Sequence, residues 1–168
     1  MHRIVPPSTI ERYFTLHYAP GLARQLSPRT KPPDRGEDLC IARHHNGICV
    51  LCLSPLHPIV TQRRAIQAVD YRVEMRQVKG KRKKGGIVVE EKTRLCTIIC
   101  EAGERYAVQC GIKGTLLEYN DMLAKDTSLI NQRPLTEGYL GVVLPWPSQI
   151  KTAVDALMSK TDYDNIVE

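Results

Sequence analysis

The densest group of chemically capable side chains is the run RQVKGKRKK, in which Arg76, Lys79, Lys81, Arg82, Lys83 and Lys84 stand together and no acidic residue occurs between Arg76 and Val89. Basic clusters of this length act as nuclear-import signals or bind phosphates and acidic protein surfaces. The chain as a whole carries 24 Lys and Arg against 18 Asp and Glu, a net charge of +6, so the run reinforces a general attraction for acidic partners. The glycines at 80, 85 and 86 make it a loop between strands, and a solvated surface loop is the plain alternative to a binding role. Proteins that read single-stranded nucleic acid interleave basic residues with aromatic platforms. Arg76 to Lys92 contains no aromatic residue, so affinity for RNA or DNA is expected to be weak, non-specific and strongly dependent on salt.

Cys49-Val-Leu-Cys52, with His44, His45 and His57 nearby, has the outline of a zinc arrangement. On a strand, however, residues three apart face opposite ways, and no second CxxC or HxxxH pair completes a tetrahedral set. No bound metal is expected, and Cys96 and Cys100, on one strand face, are read as core thiols as well. His45 with Cys49 would make a nucleophile only if a third group oriented the imidazole inside a cleft. The chain has no G-x-S-x-G elbow, no H-E-x-x-H and no Walker A sequence, so it is not expected to be an enzyme.

These groups need elements to hold them. Leu39 to Arg43 and Ile48 to Leu53 are β-rich runs joined through His45-Asn46-Gly47, and Asn-Gly is the preferred pair for a type I′ hairpin turn. Further strands are expected at Ile66 to Met75 with one slip, Ile87 to Val89, Leu95 to Cys100, Tyr106 to Cys110, Thr115 to Tyr119 and Tyr139 to Leu144. Ser8 or Thr9 is a candidate cap for an N-terminal helix carrying Tyr13, Phe14 and Tyr18, within a helical segment 1–21. Pro28, Pro32 and Pro33, set among Arg24, Arg29, Lys31 and Arg35, mark 22–37 as a flexible linker. The main domain then spans 38–147, with the basic loop at 76–86. In 148–168, Ser148 caps a helix in which Ile150, Val154, Leu157 and Met158 recur at helical spacing, and Thr161 with Asp164 starts a last short turn.

At 168 residues the chain suffices for one domain, and a domain of this size buries roughly 70% of its unfolded surface. Only 5% of residues are aromatic while 42% are apolar, so the core should be built from Val, Ile, Leu and Cys, which suits strands. No stretch of about 18 uncharged apolar residues occurs, so no membrane partner is expected and a soluble intracellular protein is read, its six cysteines as thiols.

One segment has a more specific pattern. Gly114, Leu116, Glu118, Asn120, Leu129, Asn131, Pro134, Glu137, Gly138 and Tyr139 sit where glycine cleavage H-type lipoyl carriers have matching residues. In that family the lipoyl lysine lies in a hairpin turn 11 residues before the glycine matched by Gly114. That position here is Gly103, within Glu101-Ala102-Gly103-Glu104, and the hairpin has no lysine. The resemblance thus implies a carrier-type fold, mostly β with peripheral α, of the single-hybrid or barrel-sandwich hybrid kind, with no lipoyl or biotinyl cofactor. The residues Glu118, Asn120, Asn131 and Glu137 are read as structural, with asparagine side chains bonding turn backbone and Gly138 allowing a close approach.

ERYFTLHYAP from Glu11 to Pro20, HHNGICVLCLSPLHPIV from His44 to Val60 and PLTEGYLGVVLP from Pro134 to Pro145 resemble the Abitram family, also called Simiate. That resemblance implies binding of actin monomers and filaments, regulation of polymerisation and filopodia, and modulation of transcription. It also implies residence in nuclear speckles, in the cytoplasm and in actin-rich projections such as lamellipodia, growth cones and dendrites. The alternative is a nuclear adaptor, docking transcription- or splicing-associated proteins or RNA, for which actin is incidental. Leu157 to Thr161 after an amphipathic helix has a distant likeness to short actin-monomer-binding motifs, which helix packing on the domain explains equally.

Overall fold

The computed structural model describes residues 12–26, 37–71, 86–146 and 158–167. Two antiparallel sheets face each other. Strands β1 (Phe14–Ala19), β3 (Leu39–His44), β4 (Cys49–Leu53), β6 (Ile87–Val89), β9 (Gly114–Tyr119), β10 (Gly141–Pro145) and β11 (Met158–Ser159) form one, in the order β11-β1-β3-β4-β10-β9-β6. The other runs β2 (Ala23–Gln25), β8 (Arg105–Gln109), β7 (Arg94–Cys100) and β5 (Ile66–Tyr71). Short helices α1 (Pro58–Thr61) and α2 (Leu129–Gln132) and a 3-10 turn at Asp121–Ala124 sit at the ends of strands, and α3 (Lys160–Val167) follows β11. The mostly β class read from the sequence is what the chain adopts.

Strand alternation builds the core. Leu39, Ile41, Cys49, Leu51, Leu53, Leu116 and Val143 point inward from the larger sheet onto Cys96, Ile98, Cys100, Tyr106 and Val108 of the smaller one. A second buried cluster forms on the outer face of the larger sheet, where Tyr18, Cys40 and Cys52 meet Tyr163 of α3. Cys49 and Cys52 therefore face opposite ways, one in each cluster, and all six cysteines are buried free thiols.

Several elements differ from the sequence reading. Phe14 to Ala19 is a strand and not a helix, paired with β3 in unbroken register from Phe14 opposite His44 to Ala19 opposite Leu39. Its aromatic and β-branched residues suit a pleated surface, and pairing buries Tyr18 and Ala19. Leu22 to Leu26, assigned to the linker, contains β2, held to β8 by register pairs Ala23–Val108, Arg24–Ala107 and Gln25–Tyr106. The hairpin at His45-Asn46-Gly47 is a three-residue loop: the His44 N–H bonds the Ile48 carbonyl at 2.8 Å, and of the loop residues only Gly47, at φ +94°, has a positive φ. A type I′ turn needs two such residues; Asn46 instead accepts the Ile48 N–H at 3.0 Å through its side chain. The last turn expected at Thr161 is the helix α3, and the helix read from Ser148 lies, up to residue 157, outside the described residues, while Met158, read as its last turn, is in strand β11 opposite Tyr18. The slip expected in the strand from Ile66 is present between Ile66 and Ala68.

Candidate functional site

The β7–β8 hairpin, which the sequence resemblance matches to the lipoyl hairpin of a carrier, is closed by the Cys100 N–H on the Glu104 carbonyl at 2.8 Å and by the Gly103 N–H on the Cys100 carbonyl at 3.0 Å. Its tip, Glu101 to Gly103, is exposed. Gly103 has φ +103° and open space where a Cβ would project. The position thus lacks the amine and also has a backbone conformation that an L-lysine rarely adopts. Lys113, just before β9, has its ammonium 4.9 Å over the Trp146 ring and 4.0 Å from the Glu90 carboxylate.

The residues shared with lipoyl carriers form the frame behind this hairpin. Asn120 donates to the Glu137 and Tyr139 carbonyls at 2.7 and 2.9 Å and accepts the Met122 N–H at 3.1 Å, capping the 3-10 turn. Asn131 donates to the Arg64 carbonyl at 2.7 Å, joining α2 to the loop after α1. Gly138 packs so closely that a Cβ there would lie 2.3 Å from the Leu129 carbonyl oxygen. Glu137 binds Arg133 at 2.6 Å, and hydrogen bonds led by the one from Thr136 pull its carboxyl down to about 2. Glu118 accepts from the Tyr139 hydroxyl at 3.1 Å. The asparagines and Gly138 are structural, as their sequence context suggested.

The thiols and histidines singled out in the sequence lie apart from one another or buried. Burial pushes the Cys49 thiol up to about 11 and those of Cys40 and Cys110 to about 12, and raises Cys52 and Cys96 as well. Cys49 turns into the core while His45 lies on the exposed loop, edge-on to Tyr13 at 6.4 Å. His57 is buried at the start of α1. Its Nδ1 accepts the Ile59 N–H at 3.2 Å, so Nε2 carries the proton and donates to the Ala23 carbonyl at 2.9 Å. Burial drops this imidazole to about 4, and the ring holds β2 to α1 as a neutral clamp. Among the described residues no group of three or more His, Cys, Asp or Glu side chains is placed to hold a metal ion.

Two clefts flank the smaller sheet. One, of about 680 Å³, lies beside the hairpin tip between Arg63, Ile66, Glu101, Thr127 and Asn131. The other, of about 460 Å³, crosses the outer face of β2, β8 and β7 and is lined by Arg24, Lys92, Arg94, Gln109, Leu22 and Leu26. Sequence reading missed this second set, since Arg24 was placed in the linker and only strand pairing brings it near Arg94. The basic run Arg76, Lys79, Lys81, Arg82, Lys83 and Lys84 falls outside the described residues.

Comparison with known proteins agrees with this geometry. The family model for glycine cleavage H-protein matches residues 72–168. A crystal structure of a glycine cleavage system H protein from Mycobacterium marinum superposes with a TM-score of 0.53, covering 89% of this chain and 94% of that one. At 14% identity that likeness is one of fold. Protein Abitram of Homo sapiens is 32% identical over 169 residues, 97% of this chain and 88% of the human protein. The chain belongs to the Abitram family. The Abitram of Danio rerio is 34% identical across 96% of this chain and 89% of its own length, and that of Dictyostelium discoideum 32% across 81% and 74%. This Abitram-family chain carries the H-protein-like fold, and strands β1 to β5, before residue 72, complete both sheets.

Proposed function

We propose that this protein is a non-catalytic actin-binding regulator of filament assembly that also enters the nucleus and modulates transcription. Membership of the Abitram family, through identity along nearly the whole chain, carries this reading. The physical observations support a binding protein over a relay enzyme: the carrier hairpin has no amine and a glycine-type backbone at its tip, the thiols are buried, and the one buried histidine described at the domain's interior is a neutral structural clamp. The rigid sandwich presents surfaces, and the net charge of +6 favours acidic partners such as actin. The protein acts in the nucleus and the cytoplasm, including actin-rich projections.

The test is titration of monomeric actin and co-sedimentation with filaments at about physiological ionic strength, where exposed charges are screened beyond roughly 8 Å. Saturable binding that resists competing RNA is expected. Binding that disappears at this salt, with polynucleotide binding in its place, would instead support a nuclear adaptor.

A further inference from the structure

The floor of the cleft on the smaller sheet includes one small residue, Ala107. On the middle strand β8, Arg105, Ala107 and Gln109 point outward while Tyr106 and Val108 enter the core. Arg24 of β2 stands opposite Ala107, and Arg94 of β7 stands opposite Gln109. Two long cationic side chains therefore stand on the flanking strands on a diagonal, with Ala107 and Gln109 of β8 on the floor between them. From strand spacing and rise, their Cα atoms are on the order of 12 Å apart. Lys92, in the turn before β7, adds a third cation at the same rim, and Leu22 and Leu26 supply apolar walls, Leu26 being 42% exposed.

Among the described residues the ion pairs are Arg64–Glu104, Lys113–Glu90 and Arg133–Glu137, and none involves Arg24, Lys92 or Arg94. Among the carboxylates close to this strand, Glu37 accepts the Gln25 N–H of β2 at 3.1 Å and Asp38 the Gly21 N–H, just before β2, at 2.7 Å. Arg24 is itself oriented, since its Nε donates to the Gly21 carbonyl at 2.8 Å and leaves the terminal nitrogens for a ligand. Guanidinium forks match carboxylates in a bidentate manner.

We propose that this groove binds an extended acidic segment of a partner protein, with carboxylates at positions i and i+4 and an apolar side chain at i+2. Along an extended strand i and i+4 are about 13 Å apart, which fits the Arg24–Arg94 diagonal, and the i+2 side chain, on the same face, drops onto the floor beside Ala107, near the apolar walls of Leu22 and Leu26. A nucleic acid fits less well, because the lining has no aromatic side chain for a base to stack on. The inference stands apart from the actin reading, since it concerns the chemistry of one groove and is measured without actin.

The experiment is fluorescence anisotropy of the full chain with a labelled peptide Gly-Ser-Glu-Ser-Leu-Ser-Glu-Ser-Gly, at about 0.15 M salt. Saturable binding is expected, weakened at least about tenfold by Arg24→Glu or Arg94→Glu and changed less than about twofold by Lys125→Glu, an equal charge change elsewhere. Ala107→Met fills the floor without altering charge and should weaken binding about as much, with thermal unfolding confirming that each variant is folded. Absence of saturable binding overturns the proposal. So does equal loss in Lys125→Glu, retention in folded Ala107→Met, or tighter binding of oligothymidylate than of the peptide.

Discussion

The phenol of Tyr163 donates to the Asp38 carboxylate at 2.5 Å, across 125 residues of sequence. Ser54 lies 3.1 Å from the same phenol oxygen, and the ring stacks on Tyr18 with centroids 4.1 Å apart and planes within 1°. One side chain of α3 thereby covers the outer cluster of the larger sheet and ties the chain's end to the strand entry at Asp38. Tyr163→Phe leaves a largely buried carboxylate oxygen without its donor and should lower stability by about 1–3 kcal/mol. Tyr163→Ala also removes the stacked ring and should cost about 3–5 kcal/mol. Urea unfolding midpoints would measure both, and Tyr163→Phe as stable as the parent would refute the tie.

His57 makes stability depend on pH in a defined direction. In the unfolded chain its imidazole gains a proton below about 6.5, whereas in the fold it stays neutral down to about 4. The unfolded state therefore binds more protons between these values, so its contribution is complete above about 6.5 and is lost as pH falls towards about 4. The loss is on the order of 3 kcal/mol. His57→Gln should flatten that window in denaturation curves taken from pH 7 to pH 4. A parent curve already flat there would remove the clamp.

Two glycines should respond to alanine for different reasons. Gly103 has empty space around it but φ +103°, so Gly103→Ala should cost about 1 kcal/mol through backbone strain alone. At Gly138 an added Cβ meets the Leu129 and Arg133 carbonyl oxygens at 2.3 and 2.7 Å, so the backbone must shift and the loss should be larger, about 2 kcal/mol or more. Thermal melts of the two variants side by side would order them, and the reverse order would contradict the packing.

The missing amine predicts a mass. After expression in a host that lipoylates its own carriers, the intact mass should equal that of the sequence, and an added lipoyl group would show that another lysine is used.

The reading of the basic run as a nuclear-import signal is testable. Replacement of Lys81 to Lys84 by alanine should lower nuclear accumulation in live cells, and unchanged localisation would exclude the import role.

What the sequence alone determined is local. Alternating apolar residues placed β3, β4, β6, β7, β8 and β9 to within about a residue or two, because each side of a pleat is either core or solvent. Gly47 and Gly103 marked turns, since positive φ falls to glycine at little cost. The structural roles of Asn120, Asn131 and Gly138 were legible because their pattern was that of a carrier frame. Tertiary structure decided the rest. Phe14 to Ala19 and Ala23 to Gln25 become strands only because β3 and β8 offer them edges, and those partners lie far along the chain. The meeting of Tyr163 with Asp38, and of Arg24 with Arg94 over Ala107, likewise depends on strand order and register. No local pattern encodes which distant strands pair, because that choice is made by the burial and hydrogen bonding of the whole sheet.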